Sequence, residues 1–330
     1  MVYIYKKVVG GKNQYYLRIS ERKGQRVIAK DIAYLGSSIE KVQGELDKLS
    51  KYKVEIRKAH KNITRVIESN IWLEKIKSQK IKQDEYLGSM LPQIEACKLH
   101  FNTVFQKKDA QTKSEIFKQF SIDFSYNTTS LEGNTIKLAE AQKLLVEGLT
   151  PVDKTMREIN DVQNTSNIFL ELDNYEISHE SIIELHTQLM KNIDNRVGYR
   201  LDEIRVFKSN FDATPAKYVK SDMAILLKWY EDSKDVLHPL VLASLFHHKF
   251  EKIHPFMDGN GRTGRMLLNL ILSLHDYPPV IVEKKLRSTY LDVLGKSDKE
   301  DLNAIDVVNY KDLVQFIAKE LVASYWGIFL

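Results

Sequence analysis

HPFMDGNGRTGR, residues 254–265, stands between two strongly apolar stretches of helical period, residues 240–252 and 262–274. Pro255 disfavours the α region at His254, so the first helix is expected to stop there and leave the imidazole at the mouth of a loop. Gly259 and Gly261 can take the positive φ that lets successive backbone N–H groups converge on an anion, and the second helix begins right after them. Its N-terminus adds unpaired donors and partial positive charge. Arg262 and Arg265, three apart on the first turn, reach further phosphate oxygens, so the expected guest is a polyphosphate. Asp258 supplies a hard oxygen suited to Mg²⁺, which binds through few carboxylates together with substrate phosphates. His254 is the candidate proton acceptor, since an imidazole titrates near neutral pH.

Working outward, the pattern is mainly α. Helical spacing recurs over residues 93–107, 113–130, 138–147, 153–172, 179–191, 223–232, 284–294 and 310–326. Residues 1–36 read as a small antiparallel β meander, with turns at Gly10–Asn13 and around Gly24. Residues 37–92 read as one or two long amphipathic helices, an arm that can pair with the body or with a second copy to make a homodimer. Between Gly198 and Lys220 the helical period lapses into short β-branched and aromatic pieces, which predicts a hairpin or flap.

The pattern His-Pro-Phe-x-(Asp/Glu)-Gly-Asn-Gly-Arg-x-x-Arg is the signature of Fic domains, and this chain resembles that family at all nine specified positions. The resemblance implies a Fic-type helical bundle within residues 93–330, with residues 198–220 as a β-hairpin flap that docks an extended target segment by strand addition. It implies transfer of AMP from ATP and Mg²⁺ to a Ser, Thr or Tyr hydroxyl of a target protein, the chain itself included, with pyrophosphate released. His254 is then the base, and Asp258 holds Mg²⁺. Gly259, Asn260 and Gly261 fix the α- and β-phosphates, Arg262 takes the β-phosphate side, Arg265 takes the γ-phosphate, and Phe256 anchors the loop. A phosphate-transferring relative usually carries a lysine in place of Arg262, so the intact loop favours AMP. Other nucleotides and a phosphocholine donor stay open. Tyr290 and the flap are candidates for the adenine wall.

Thr128, Glu132 and Gly133 look like the family's inhibitory motif, (Ser/Thr)-x-x-x-Glu-(Gly/Asn). A helix over about residues 113–133 would present Glu132 near its C-terminus, next to a capping glycine. The resemblance implies that Glu132 occupies Arg265 and leaves ATP in a non-productive pose, so that the chain carries its own brake. In some relatives the same glutamate activates water to remove AMP, which keeps a de-AMPylating activity open.

Bulk properties narrow the setting. No stretch approaches the roughly 20 uncharged apolar residues of a membrane span, no secretory leader is evident, and the expected location is cytoplasmic. The lone Cys97 excludes an internal disulfide framework and is assigned no role. His247, Glu251 and His254 share one helical face at zinc-ligand spacing, but the run is not His-Glu-x-x-His, and Pro255 pulls His254 off the helix. Residues 1–120 carry 25 Lys/Arg against 13 Asp/Glu, while the rest carry 24 against 31. Solvated helix faces account for such asymmetry. The alternative is a nucleic-acid-associated protein with a silent Fic core, although no recognised DNA-binding helix pair or zinc knuckle accompanies the charge.

Overall fold

The computed structural model describes residues 1–204, 213–298 and 300–330. Strands β1 (Val2–Val9), β2 (Lys12–Lys23) and β3 (Arg26–Gly36) form an antiparallel sheet in the order β1-β2-β3. Gly10 and Gly11, both at positive φ, make the first hairpin turn alone, and Lys12 and Asn13 join the ladder. One face of the sheet presents Val2, Ile4, Tyr15, Leu17 and Leu35 to a small core shared with Ile39, Val42, Leu46, Ile63 and Ile67.

Those last residues belong to α1 (Ile39–Asp47) and α3 (His60–Lys77), with the short α2 (Lys53–Lys58) between them. The long arm expected here is therefore three helices, broken by a tight turn at Ser50–Tyr52 and again at Ala59. The breaks have a physical reason. An unbroken helix would carry half of its apolar stripe past the edge of a three-stranded sheet, whereas folding back brings Val42, Leu46, Ile63 and Ile67 onto one face. The apolar positions that recommended pairing with a second copy are in large part used inside the chain. Lys6 Nζ donates to Asn70 Oδ1 at 2.9 Å, and Asn13 Nδ2 to Glu74 Oε1 at 3.1 Å, tying the sheet to α3. The far end of α3 joins the main body, where Trp72 meets His100 edge-on at 5.1 Å.

The main body is helical: α4 (Leu91–Thr103), α5 (Ala110–Leu131), α6 (Leu138–Glu147), α7 (Met156–Leu170), α8 (His179–Leu189), α9 (Val219–Ser233), α10 (Pro239–Ile253), α11 (Asn260–Leu274), α12 (Arg287–Ser297) and α13 (Val307–Ile328). This is the mainly α architecture read from the sequence, with thirteen α-helices among the described residues. Every residue of α10 from Leu240 to Phe250 is buried, as a helix apolar on most sides must be. Met266, Leu267, Leu268, Leu270, Ile271 and Leu272 of α11 are likewise buried, worth on the order of 10 kcal/mol as an upper bound. The loop joining these two helices is thus held between the most rigid elements of the molecule.

Of the expected flap, residues 205–212 lie outside the described residues. Its described flanks contain no strand. Ala216–Tyr218 is a single tight turn, and Val219 and Lys220 already belong to α9, which corrects the flap's C-terminal boundary. Val219, Met223 and Leu226 are all buried, an i, i+4, i+7 stripe that pulls the helix start forward. No described helix is long and apolar enough to cross a membrane.

Candidate active site

Helix α10 ends at Ile253, and His254 caps it in the left-handed region with φ 52° and ψ 60°. A non-glycine residue held there is strained, and such strain collects at functional sites. Phe256 then plunges into the core, fully buried, with its ring stacked on His186 at 3.6 Å and an interplanar angle of 3°. The Asn260 side chain closes the loop from inside. Its Oδ1 accepts from Phe256 N and its Nδ2 donates to Phe256 O, both at 2.8 Å. Both polar atoms of the Asn260 side chain thus hold the loop, and its backbone N–H lies at the start of α11.

The two glycines divide their work differently from expectation. Gly259 has φ 79° and precedes α11, while Gly261 is helical. At Gly259 a Cβ would lie 2.7 Å from Met190 Sδ. At Gly261 a Cβ would run into the Glu132 carboxylate and lie 3.1 Å from an Arg265 guanidinium nitrogen. Gly261 is thus needed for space rather than for φ, and that space, directly over the first turn of α11, contains a carboxylate.

Glu132 reaches it from the C-cap of α5, followed by Gly133 at φ 104°, as the helix-end reading of this segment expects. Arg265, buried with its side chain 4% exposed, donates through Nη2 to Glu132 Oε1 at 2.6 Å and to the Thr128 carbonyl at 3.1 Å. Its Nε donates to Thr128 Oγ1 at 2.7 Å. All three acceptors sit on the last turn of α5, where the helix dipole favours a cation. Burial pushes the Glu132 carboxyl up, but Arg265 outweighs it and holds the group below its usual value. Glu251, also close by, goes the other way. Burial pushes it up to about 8, so it is neutral at pH 7 and leaves Glu132 as the charge that balances Arg265.

Arg262 is buried and paired with Asp161 of α7, and its Nη2 lies 3.5 Å from Asp258 Oδ1. Asp258 is also paired with Arg157. Burial raises the Asp258 carboxyl, and Arg262 and Arg157 outweigh it, so its pKa is held below the usual carboxylate value. One half-exposed carboxylate at the loop's edge fits a Mg²⁺ ion that completes its shell with phosphates and water. Among the described residues no cluster of three or more His, Cys, Asp or Glu is placed to hold a metal. In the zinc-spaced set, His247 Nε2 faces the Tyr290 hydroxyl at 2.5 Å, and His254 has left the helix.

Tyr290 is 2% exposed and engaged with His247, so it belongs to the core and not to an adenine wall. Cys97 is buried and unpaired by any disulfide. Two residues escaped sequence reading altogether. His186 backs Phe256, and its Nε2 lies 2.9 Å from the Asp258 carbonyl. Arg200, 3% exposed, clamps the loop from the flap side: Nε donates to His254 O at 2.8 Å, Nη1 to Asp202 O at 3.1 Å, Nη2 to Thr214 O, and its backbone N–H to Pro255 O at 2.8 Å. An arginine three residues after a proline-free polar turn carries no sequence signal for this role. Arg200→Ala is expected to cost about 3 kcal/mol, since several carbonyls lose a charged donor at once. Urea unfolding of the variant checks this, and an unchanged midpoint would remove the clamp.

His254 stands at the edge of this constellation. Its Nδ1 lies 3.3 Å from the Glu251 carbonyl, which fits the tautomer with the proton on Nδ1 and the lone pair on Nε2. Burial lowers its pKa below 6.5, so the ring is predominantly neutral at pH 7. An imidazole, a helix N-terminus, two arginines and one carboxylate therefore converge within a single loop.

Comparison with known proteins agrees with this reading. Residues 176–272 match the Fic/DOC family profile. The chain is 31% identical over 211 residues to protein adenylyltransferase fic-1 of Caenorhabditis elegans, an alignment covering 61% of this chain and 40% of that protein. Its likeness to protein adenylyltransferase Fic of Drosophila willistoni is 28% over 239 residues, 69% of this chain and 45% of the relative. The chain thus spans less than half the length of these curated relatives. Among solved structures, a Fic-domain signaling protein from Bacteroides thetaiotaomicron superposes with a TM-score of 0.64 at 24% identity, covering 72% of this chain and 96% of that one. A fragment of Fic-1 from C. elegans gives 0.59 at 26% identity, with 73% and 71% covered. Signature loop, helical frame and these likenesses agree: the chain carries a Fic/DOC domain.

Proposed function

We propose that this chain transfers AMP from ATP to a hydroxyl group of a protein, and that Glu132 restrains the reaction. The observation that carries the proposal is the Glu132 carboxylate against Gly261 and Arg265, an anion lodged in an anion site. A triphosphate fits the donors around it: the backbone N–H groups at Asn260 and Gly261 at the helix start, that of Gly259 once Asp258 Oδ1 gives up its 2.7 Å bond, and the two guanidinium groups. Asp258 would hold Mg²⁺, which offsets phosphate charge when bound, and Arg157 must then release that carboxylate.

The chain's own part is positioning and proton transfer. His254 Nε2 takes the proton of the target hydroxyl as its oxygen bonds to the α-phosphorus, the α–β bridging bond breaks, and pyrophosphate leaves with the electron pair. The named activity of the Fic relatives supports this choice of chemistry, and the target protein is identified only as a bearer of Ser, Thr or Tyr. Incubation of the Glu132→Gly variant with ATP labelled at the α-phosphate should label protein, whereas γ-labelled ATP should not. Label arriving from the γ position would overturn AMP transfer in favour of phosphorylation.

A pH profile adds a second check. Because burial disfavours imidazolium at His254, the base stays unprotonated to lower pH than an ordinary histidine. Removing Glu132 also deletes a carboxylate that raises this pKa. The rate of the Glu132→Gly variant is therefore expected to hold as pH falls to about 6.5, the ordinary histidine value, and to decline only below it. A decline centred above that pH counts against His254 as the base.

A further inference from the structure

The side of the N-terminal sheet turned away from α1 and α3 is aromatic and basic. Alternation puts Tyr3, Tyr5 and Lys7 of β1 and Tyr16, Arg18 and Arg22 of β2 on this side, opposite the buried Val2, Ile4, Tyr15 and Leu17. Tyr5 pairs with Tyr16, and Tyr16 with Tyr34 of β3, so the face carries one tyrosine per strand in register across the sheet. The Tyr16 and Tyr34 rings are 5.2 Å apart, and Tyr34 is 55% exposed. Arg18 lies 3.5 Å over the Tyr5 ring and neutralises Asp31, the one acid on this face.

Beyond Ile19 the hairpin of β2 and β3 continues past the end of β1 as a two-stranded ribbon, with every residue from Arg26 to Asp31 exposed. Arg22 stands on the side of it that carries the rings, and Arg26 and Lys30, with Glu21, on the other. Residues 1–36 together hold eight Lys/Arg against two Asp/Glu. The cationic excess is therefore concentrated on the sheet that presents the rings.

We propose that this face binds single-stranded nucleic acid, with bases stacked on Tyr5, Tyr16 and Tyr34 and phosphates running along the basic ribbon. Charge alone would suit any polyanion. A row of rings at strand spacing, Tyr34 exposed, Tyr16 half-buried and Tyr5 half-buried with the flat Arg18 guanidinium over it, adds planar surfaces on which unpaired bases stack, and which a duplex cannot use because its base faces are already covered. An acidic protein segment would be drawn by the ribbon but gains little from three aligned rings. The inference is independent of AMP transfer and does not rest on it.

The test is fluorescence polarisation of the full chain with labelled oligo-dT and oligo-U of about 20 nucleotides, against a duplex of equal length, from about 50 to 200 mM salt. Expected is binding to the single strands that weakens linearly in log–log salt, with the duplex clearly weaker. Tyr5→Ala with Tyr34→Ala should weaken binding roughly tenfold or more with the salt slope unchanged. Tyr5→Phe with Tyr34→Phe should retain binding, which separates stacking from folding. Lys7→Glu with Arg22→Glu, both on the side of the rings, should flatten the slope. Equal affinity for the duplex, indifference to the alanine pair, or no binding at the lowest salt each overturns the proposal.

Discussion

With glycine in place of Glu132, labelling of protein by α-labelled ATP and Mg²⁺ is expected to rise on the order of 10²-fold over the parent chain. The size follows from what the carboxylate does in this structure. It takes a direct bond from Arg265 and stands in the space over Gly261, so it removes both a cationic donor and the volume that a phosphate would use. Arg265 keeps its bonds to Thr128 when Glu132 is gone, so it should remain aimed at the same place with one N–H of Nη2 released. Glu132 is the cap residue after α5 and its side chain is 41% exposed, so its loss should disturb the fold little. Glu132→Gln, which keeps the shape and loses the charge, should fall between parent and glycine variant. A glycine variant that binds ATP yet transfers nothing would end the restraint reading. If instead the parent removes AMP from a prelabelled protein faster than the variant does, the same carboxylate serves the reverse hydrolysis.

What could be read from sequence depended on whether a residue works through its own immediate neighbours. The bend at His254 and the positive φ at Gly259 are consequences of local covalent geometry, and Pro255 and the glycines announce them, whereas the inward Phe256 was expected only from the family resemblance. The meeting of Glu132 with Arg265 joins residues 133 apart and was reachable only because the inhibitory motif resembles a known one. Gly261 was misjudged because a glycine can serve φ or volume, and only the position of a distant carboxylate decides between them. The bonds of Asn260 to Phe256 were not legible for a related reason: a side-chain amide four residues after Phe256 can fold back on the loop as easily as face a ligand. Arg200, His186 and Asp161 form the shell that holds the loop, and each acts across a tertiary contact without any local pattern. The arm over residues 37–82 shows the limit of periodicity, since a continuous apolar stripe does not record where the chain turns.

In the Glu132→Gly background, His254→Ala is expected to lower transfer by roughly 10²–10⁴-fold while ATP affinity stays within a few-fold. The split follows from position. The phosphate donors belong to α11 and its preceding turn, whereas His254 ends α10 and is separated from that turn by Pro255 and Phe256. Its imidazole therefore contributes to moving a proton and not to holding the nucleotide. Alanine at a left-handed residue adds backbone strain, so His254→Asn is the better control, because asparagine tolerates that region and still cannot accept the proton. Both variants should lose transfer together and retain the parent's nucleotide affinity. If the asparagine variant transfers AMP at the background rate, the proton goes elsewhere. The neutral Glu251 carboxyl is then the nearest buried acid to examine, although without ionisation it would have to act as a donor, which is the wrong direction for activating a hydroxyl. That mismatch is the reason for assigning the proton to His254: of the titratable groups around the loop, it is neutral at working pH with a basic nitrogen to offer, while Asp258 is held as a weak base by two arginines and Glu132 is committed to Arg265.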